Sequence, residues 1–329
     1  MSSTRSSSRC RPRTSAEGAR SLAESAPQAT SRTLTDPQAL ARLKGVTLRA
    51  RRVVDGVLQG LHKSPHQGAS IEFAEHKEYT PGDEIRHVDW KAFARFDKYY
   101  VKKYEQETNL RAFGLVDCSA SMAYGAKGGL TKFEYAAVMM TTLSHLLLRQ
   151  QDAVGLVKYA DEVCEVLPPR SRLNHLSHIA AALDKTKVRG ATNLESALSA
   201  VVEYAKKRGL VFVFSDFFAD AERPFNMLRH LVGRGHQITV FQVLDGDELT
   251  FPFDEMTLFE GMESKRRLLV EPRLVRRTYL ARVAEHQATI RERCLDAQVS
   301  YQLVDTRQPP GDVVLRFLKA AEQRKRVGS

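Results

Sequence analysis

Short apolar segments alternate with longer amphipathic segments over the last two thirds of the chain. Five apolar runs are typical of buried strands, at residues 112–116, 154–159, 210–214, 238–244 and 299–304. Apolar residues recur at helical spacing in five other stretches, at residues 131–149, 173–183, 195–207, 273–297 and 312–323. This alternation predicts an α/β fold of the Rossmann-like kind, in which helices flank a mostly parallel sheet.

The first third of the chain has a different composition. Residues 1–35 are poor in apolar residues and rich in Ser and Arg, so we predict a disordered basic tail. A short helix is expected to begin at Asp36 and Pro37, and residues 53–110 mix charged with aromatic residues. We therefore predict three regions: the tail at 1–35, a small N-terminal β-rich module at 36–110 and an α/β domain at 111–325.

The positive charge of the chain is concentrated near its N-terminus. The net charge is +11, and residues 1–60 contribute +7 of it, through eleven Arg or Lys and four acidic residues. A basic arm can bind nucleic acid by releasing counterions. However, no aromatic residues are interleaved with these arginines, and a solvated tail is the simpler interpretation.

Cysteine usage and hydropathy indicate a cytoplasmic protein. The four cysteines include no C-x-x-C pair, so we expect reduced thiols. No apolar run approaches the ~18 residues of a membrane span, and residues 1–13 lack the apolar core of a secretory signal. The Ser and Arg content also suits a transit peptide, but Glu17, Glu24 and Asp36 interrupt it.

Oxygen-bearing side chains follow two of the predicted strands. Asp117, Ser119 and Ser121 form a D-x-S-x-S loop after the first strand, and alternate residues of an extended segment point the same way. Thr192 lies in a later loop, and Asp216 follows the third strand. Carboxylates and hydroxyls are hard donors that suit Mg²⁺ or Mn²⁺. Because parallel sheets bind ligands at the carboxyl ends of their strands, we predict that these five residues form one cation site.

Each of these residues also has a purely structural interpretation. Asp and Ser are common in turns. Thr192 and Glu195 satisfy the T-x-x-E pattern of a helix capping box, and Asp216 could cap the following helix. The sequence leaves these alternatives open.

The five residues resemble the metal ion-dependent adhesion site (MIDAS) of von Willebrand factor A-like (VWA) domains. The resemblance implies an octahedral divalent cation, Mg²⁺ or Mn²⁺, held by the serines and the threonine, with the aspartates binding directly or through water. It also implies that a carboxylate of a partner completes the coordination shell. The residues carried over are Asp117, Ser119, Ser121, Thr192 and Asp216.

An upstream motif is more specific. The stretch E-F-A-E-H-K-E-Y-T-P-G-D-E-I-R-H-V-D-W at 72–90, with A-R at 94–95 and V-K-K-Y-E-Q-E at 101–107, closely resembles the signature of the domain of unknown function 58 family. Many members carry an N-terminal pair of membrane helices, which this chain lacks, so we expect no membrane tether. We predict that polar residues of this motif and its single Trp form an ion network that locks the module onto the sheet domain, or else a catalytic or phosphate-binding patch. They are Asp83, Arg86, Asp89, Trp90 and Arg95.

The resemblance implies a non-enzymatic, metal-dependent protein interaction module. Its implied partner is a MoxR-type AAA+ ATPase, or another protein that presents an acidic residue, in complex assembly or chaperone-like activation. The alternative is a metal-dependent hydrolase or phosphoryl-transfer enzyme at the same site, although the chain has no P-loop, G-x-S-x-G or H-E-x-x-H motif. A third hypothesis is nucleic-acid contact through the basic arm.

Overall fold

A six-stranded sheet forms the centre of the fold. The computed structural model describes residues 36–62, 76–78, 100–102, 110–219, 222–263 and 266–327. In chain order, the strands in these ranges are β1 (His76–Glu78), β2 (Tyr100–Lys102), β3 (Arg111–Asp117), β4 (Ala153–Tyr159), β5 (Val163–Arg170), β6 (Gly209–Ser215), β7 (Gln237–Leu244), β8 (Thr257–Glu260), β9 (Arg267–Val270) and β10 (Ser300–Asp305). The central sheet has the order β10-β7-β6-β3-β4-β5, while β1 pairs with β2 and β8 with β9.

The sheet is parallel except at one edge. Strands β10, β7, β6, β3 and β4 pair in parallel, and β5 pairs antiparallel with β4. The central strands are buried along almost their whole length, which explains their continuous apolar sequences. These observations confirm the predicted α/β fold. The edge strand β5 is only half-buried and contains Pro168 and Pro169, so it lacks the apolar run from which the other strands were predicted.

Helices cover both faces of the sheet. The helices of the described ranges are α1 (Pro37–Ala41), α2 (Val46–His62), α3 (Lys132–Arg149), α4 (His175–Asp184), α5 (Leu194–Tyr204), α6 (Arg223–Gly233), α7 (Gly246–Thr250), α8 (Pro272–Asp296) and α9 (Pro310–Val327). Helices α2, α3, α4 and α9 bury apolar residues on one face, and α5, α6 and α8 bury apolar residues on the other. Side chains of β3 alternate between the two layers, as Val116 faces the first and Leu115 the second.

Helix α3 is the most deeply buried helix of the first layer. It begins at the predicted capping box: Thr131 Oγ1 accepts the N–H of Glu134, and the Glu134 carboxylate accepts the N–H of Thr131. Thirteen of its eighteen residues are buried. The first of them, Lys132, lies at the carboxyl edge of the sheet, so the start of α3 is close to the end of β6.

The N-terminal helices pack on the sheet domain. The predicted short helix at Asp36 corresponds to α1, and the longer α2 follows it after Gly45, whose φ of +86° favours glycine. Val53 and Val57 of α2 are buried in the same core as α3, and Arg49 forms an ion pair with Glu134 at 2.7 Å. The sequence analysis assigned residues 36–62 to the N-terminal module, whereas in the structure Leu40, Val46, Val53 and Val57 are buried in the core of the sheet domain.

A small hairpin, β8 and β9, lies between α7 and α8. Phe259 of β8 packs against Phe251 and Phe253, and Phe251 also packs against Tyr279 of α8. The side chain of Arg276 donates to the backbone carbonyls of Phe251 and Phe253. The aromatic contacts thereby connect α7, the hairpin and α8.

None of the described helices is both long enough and apolar enough to span a membrane.

Candidate functional site

The predicted site residues lie where the topology of the sheet changes direction. From β3 the chain continues through α3 to β4 on one side, whereas the neighbour on the other side, β6, comes later in the sequence. Such a switch point opens a crevice at the carboxyl ends of the two strands. Asp117 is the last residue of β3, and Asp216 directly follows β6. We refer to Asp117, Ser119, Ser121, Thr192 and Asp216 as the carboxyl-edge site.

Asp117 is the centre of this site. Its side chain is fully buried, and three groups donate hydrogen bonds to its carboxylate. Oδ1 accepts the backbone N–H of Ser119 at 2.8 Å, and Oδ2 accepts the hydroxyls of Thr192 at 2.7 Å and Ser215 at 2.6 Å. The carboxylate therefore holds together three separate segments of the chain.

The loop that carries Thr192 is tied to the D-x-S-x-S loop by its backbone. Arg189 N donates to the Cys118 carbonyl at 2.8 Å, and Ala120 N donates to the carbonyl of Gly190 at 2.9 Å. The capping-box alternative for Thr192 is wrong, because the N-cap of α5 is Asn193, whose side chain accepts the N–H of Ser196. The Thr192 hydroxyl is directed to Asp117 instead.

The two serines lie together beside Asp117. Their hydroxyl oxygens are 3.1 Å apart, and a 3₁₀ turn begins immediately after Ser119. Ser119 is buried, whereas Ser121 and Thr192 are partly exposed, so solvent reaches one side of the cluster. Cys118 faces the interior, as its alternating position predicts, and burial raises the pKa of its thiol to about 12.

Asp216 lies next to this cluster and is held by a lysine. Its Oδ2 accepts Lys132 Nζ at 2.8 Å, its Oδ1 accepts the backbone N–H of Phe218 at 3.3 Å, and its backbone carbonyl accepts Gln242 Nε2 at 3.0 Å. Lys132 Nζ also donates to Glu248 Oε1 of α7 at 2.7 Å. Asp216 thus lies at the carboxyl end of β6, and it carries an ion pair that the sequence did not indicate.

Sequence reasoning missed three residues of this region, namely Ser215, Lys132 and Glu248. Ser215 could have been found from its position directly before Asp216 at the end of a buried strand. Lys132 stands at the first position of a helix, where the helix dipole disfavours a cation, and this signals a nearby carboxylate. Glu248 also forms a capping box with Asp245, so its sequence position alone gives no reason to assign it to the site.

Burial and neighbouring charges together determine the pKa values of Asp117 and Lys132. Burial raises the pKa of Asp117, and the carboxylate of Asp216 raises it further, while hydrogen bonds from Ser215 and Ser119 oppose the shift. Burial lowers the pKa of Lys132, but the carboxylates of Asp216 and Glu248 outweigh it and leave the pKa raised. Lys132 is therefore an ammonium, and among the described residues of this region the carboxylates of Asp117, Asp216 and Glu248 face this one cationic side chain.

A cation at this site would depend on hydroxyl oxygens. Within the described ranges, no group of three or more His, Cys, Asp or Glu side chains could hold a metal ion. The hydroxyls of Ser119, Ser121 and Thr192, gathered around a buried carboxylate, are nevertheless hard donors of the kind that Mg²⁺ and Mn²⁺ prefer. The donor set fits a divalent cation that keeps several waters.

The predicted ion network of the upstream motif lies outside the described residues. This applies to all five of its members, Asp83, Arg86, Asp89, Trp90 and Arg95. Their role stays a prediction.

Comparison with solved structures returns proteins of low sequence identity. BatB from Bacteroides thetaiotaomicron is 13% identical, and the match covers 65% of this chain and 99% of that chain with a TM-score of 0.41. The VWA domain of SpRpn10 is 14% identical, and the match covers 62% of this chain and 93% of that chain with a TM-score of 0.37.

Sequence comparison identifies relatives and a family. An uncharacterised protein of Mycobacterium bovis and one of Mycobacterium tuberculosis are each 25% identical over 264 residues, which cover 78% of this chain and 81% of the relative. The family model described as "Protein of unknown function DUF58" matches residues 75–289, which is more than half of the chain. The chain therefore belongs to the DUF58 family.

Proposed function

We propose that the carboxyl-edge site is a cation-dependent docking site for an acidic side chain of a partner protein, and that the protein is not an enzyme. The observation that carries the proposal is the 2.7 Å hydrogen bond from Thr192 to Asp117, two residues that are 75 positions apart. Thr192 is not the N-cap of α5, and its hydroxyl donates to Asp117 instead. The hydroxyl proton points to the carboxylate, so the oxygen lone pairs are left for a cation.

The exposure of the site supports docking. The donors that are partly exposed, Ser121 and Thr192, lie on the solvent side, while Asp117 and Asp216 are fully buried. The hydroxyls would hold Mg²⁺ or Mn²⁺, with Asp117 behind them. The ion would supply a positive face to which a carboxylate of a partner binds as a hard oxygen ligand.

The chemistry of the neighbouring groups supports a non-enzymatic role. With a pKa of about 12, the thiol of Cys118 is a poor nucleophile near neutral pH. Among the residues that the structure describes, the hydroxyls of Ser119 and Ser121 are within hydrogen-bonding distance of each other and not of a histidine base.

We propose that the partner is a MoxR-type AAA+ ATPase, which the protein assists in complex assembly or chaperone-like activation in the cytoplasm. This proposal follows the resemblance of the sequence to the DUF58 family and the chemistry of a site that suits an acidic ligand. In the described part of the chain, Cys118, Cys164 and Cys294 are free thiols, and free thiols are compatible with a reducing compartment.

Binding to a MoxR-type ATPase of the same organism, measured by biolayer interferometry in Mg²⁺, tests this function. Thr192→Val and Ser121→Ala should lose at least about tenfold in affinity, since each removes one ligand from a site with few protein ligands. Ser199→Ala is the matched control, because Ser199 is exposed and its hydroxyl donates to the carbonyl of Glu195 within α5.

Variants are preferable to a chelator here, because a chelator also removes Mg²⁺ from the nucleotide of the ATPase. Equal affinities for the wild type, Thr192→Val and Ser121→Ala would exclude the site as the point of contact.

A further inference from the structure

Lys132 is an ammonium group built into the carboxyl-edge site. Its side chain has no exposed surface, and its Nζ lies 2.8 Å from Asp216 Oδ2 and 2.7 Å from Glu248 Oε1. Nζ also lies 4.8 Å from the centre of the Phe218 ring. A buried cation at a helix N-terminus is unfavourable unless carboxylates compensate it, so its position depends on these two partners.

The ammonium is bound to a carboxylate oxygen that would otherwise be available to a cation at the carboxyl-edge site. Asp216 Oδ2 is bound to Lys132, and Asp216 Oδ1 accepts the N–H of Phe218. The backbone of Asp216 is held in place as well, because its carbonyl accepts Gln242 Nε2, and Gln242 Oε1 in turn accepts the hydroxyl of Tyr301. A divalent ion beside Asp117 therefore meets an Asp216 whose charge is already balanced.

We infer that Lys132 is an internal competitor of the divalent cation, and that it holds the metal affinity of the site below what the five oxygen-bearing residues alone would give. The inference rests on the proposed function. A single positive charge in a buried site repels a divalent ion strongly, because little water screens the interaction. The same charge leaves the metal-loaded site more positive toward an acidic ligand.

Glu248 sets the strength of this competition. Its Oε1 binds Lys132, and its Oε2 accepts the backbone N–H of Asp245 at the start of α7. Its negative charge therefore offsets part of the ammonium charge. Glu248→Gln keeps a similar shape and removes that charge, so it should lower the affinity for a divalent ion. Lys132→Met should raise the affinity, since it removes the competing cation.

The experiment is a titration of the full-length protein with Mn²⁺, followed by the electron paramagnetic resonance signal of the free ion. Lys132→Met should bind Mn²⁺ about tenfold more tightly than the wild type, and Glu248→Gln roughly threefold less tightly. The control is Arg49→Met, which also removes a cation near the start of α3, but one that pairs with Glu134 outside the site. Its affinity should equal that of the wild type.

Opposite shifts for Lys132→Met and Glu248→Gln support the inference, because a lysine that only stabilises the fold would give no gain in metal binding. Equal affinities, or weaker binding by Lys132→Met, overturn it. If Lys132→Met does not fold, Glu248→Gln decides alone: weaker Mn²⁺ binding supports the inference and unchanged or tighter binding overturns it.

The same Mn²⁺ titration distinguishes failure of this inference from failure of the proposed function. If the wild type binds no Mn²⁺ but Lys132→Met does, the internal competitor is supported and the metal-dependent docking of the wild type is overturned. If neither protein binds Mn²⁺, both proposals are overturned.

Discussion

Ser215 links the end of β6 to the carboxylate of Asp117, and its hydroxyl group can be removed by Ser215→Ala. The hydroxyl donates to Asp117 Oδ2 at 2.6 Å and accepts the backbone N–H of Phe217 at 3.1 Å. Phe217 has a φ of +58°, an unfavourable value for a residue with a side chain, and this hydrogen bond helps to hold it. The substitution therefore removes support from both the site and the turn that follows β6.

Ser215→Ala removes a single oxygen atom, but the expected loss of stability is large. A hydrogen bond to a charged group contributes about 1.5–3 kcal/mol, and a buried N–H left without a partner costs about 1–3 kcal/mol. Some relaxation of the turn offsets part of this cost, so we expect Ser215→Ala to lower the free energy of unfolding by about 3 kcal/mol. At about 2–4 °C per kcal/mol for a chain of this size, the melting temperature should fall by roughly 6–12 °C.

The assay is urea unfolding followed by circular dichroism, with a thermal melt in parallel, both in metal-free buffer. Ser144→Ala is the matched control. Ser144 is equally buried, but its hydroxyl donates to the carbonyl of Met140 within α3, and alanine favours the helix. The control should change the stability by less than about 1 kcal/mol. If Ser215→Ala costs no more than Ser144→Ala, the role assigned to the Asp117 hydrogen bonds is incorrect.

Three further predictions concern the core and a buried histidine. Gly114→Ala should cost about 1–3 kcal/mol in a thermal melt, because its Cβ would meet the side chain of Met140. The same substitution should cost less in a Met140→Ala background, and equal costs in the two backgrounds would contradict this packing. Phe241→Ala should lower the free energy of unfolding in urea by about 3–5 kcal/mol, since the ring is fully buried and stacks on Phe214 with centroids 4.8 Å apart. A loss below about 1 kcal/mol would contradict this packing. Burial lowers the pKa of His236 below the ordinary value of 6.5, so the unfolded state binds the proton first and stability is lost as the pH falls below 6.5. Between pH 7.5 and pH 5.5 the wild type should therefore lose more stability than His236→Gln, and equal losses would exclude this contribution.

The sequence predicts those parts of the structure that depend on local pattern. The strands that end at Asp117 and Ser215 are continuous apolar runs, and buried parallel strands need such runs. Because parallel strands end at the same edge, the meeting of Asp117, Asp216 and the loop of Thr192 follows from the strand order that this kind of fold implies. The capping box of α3 was also predicted, since it depends on residues only three positions apart.

Features that depend on distant charges were not predicted. Lys132 lies 84 residues from Asp216 and 116 residues from Glu248, so no local pattern reveals that it is buried. Helix α2 was missed because Arg51, Arg52 and Asp55 interrupt its apolar spacing, although they lie on its exposed side. Its burial comes from packing on α3, which is a tertiary effect.

The prolines of β5 restrict how other chains can attach to the sheet. Pro168 and Pro169 have no backbone N–H, and they lie on the outermost strand of the central sheet. A strand from another molecule could not form a regular ladder there, since those donors are missing. This edge is thereby protected from strand addition, which could otherwise join copies of the protein into fibres.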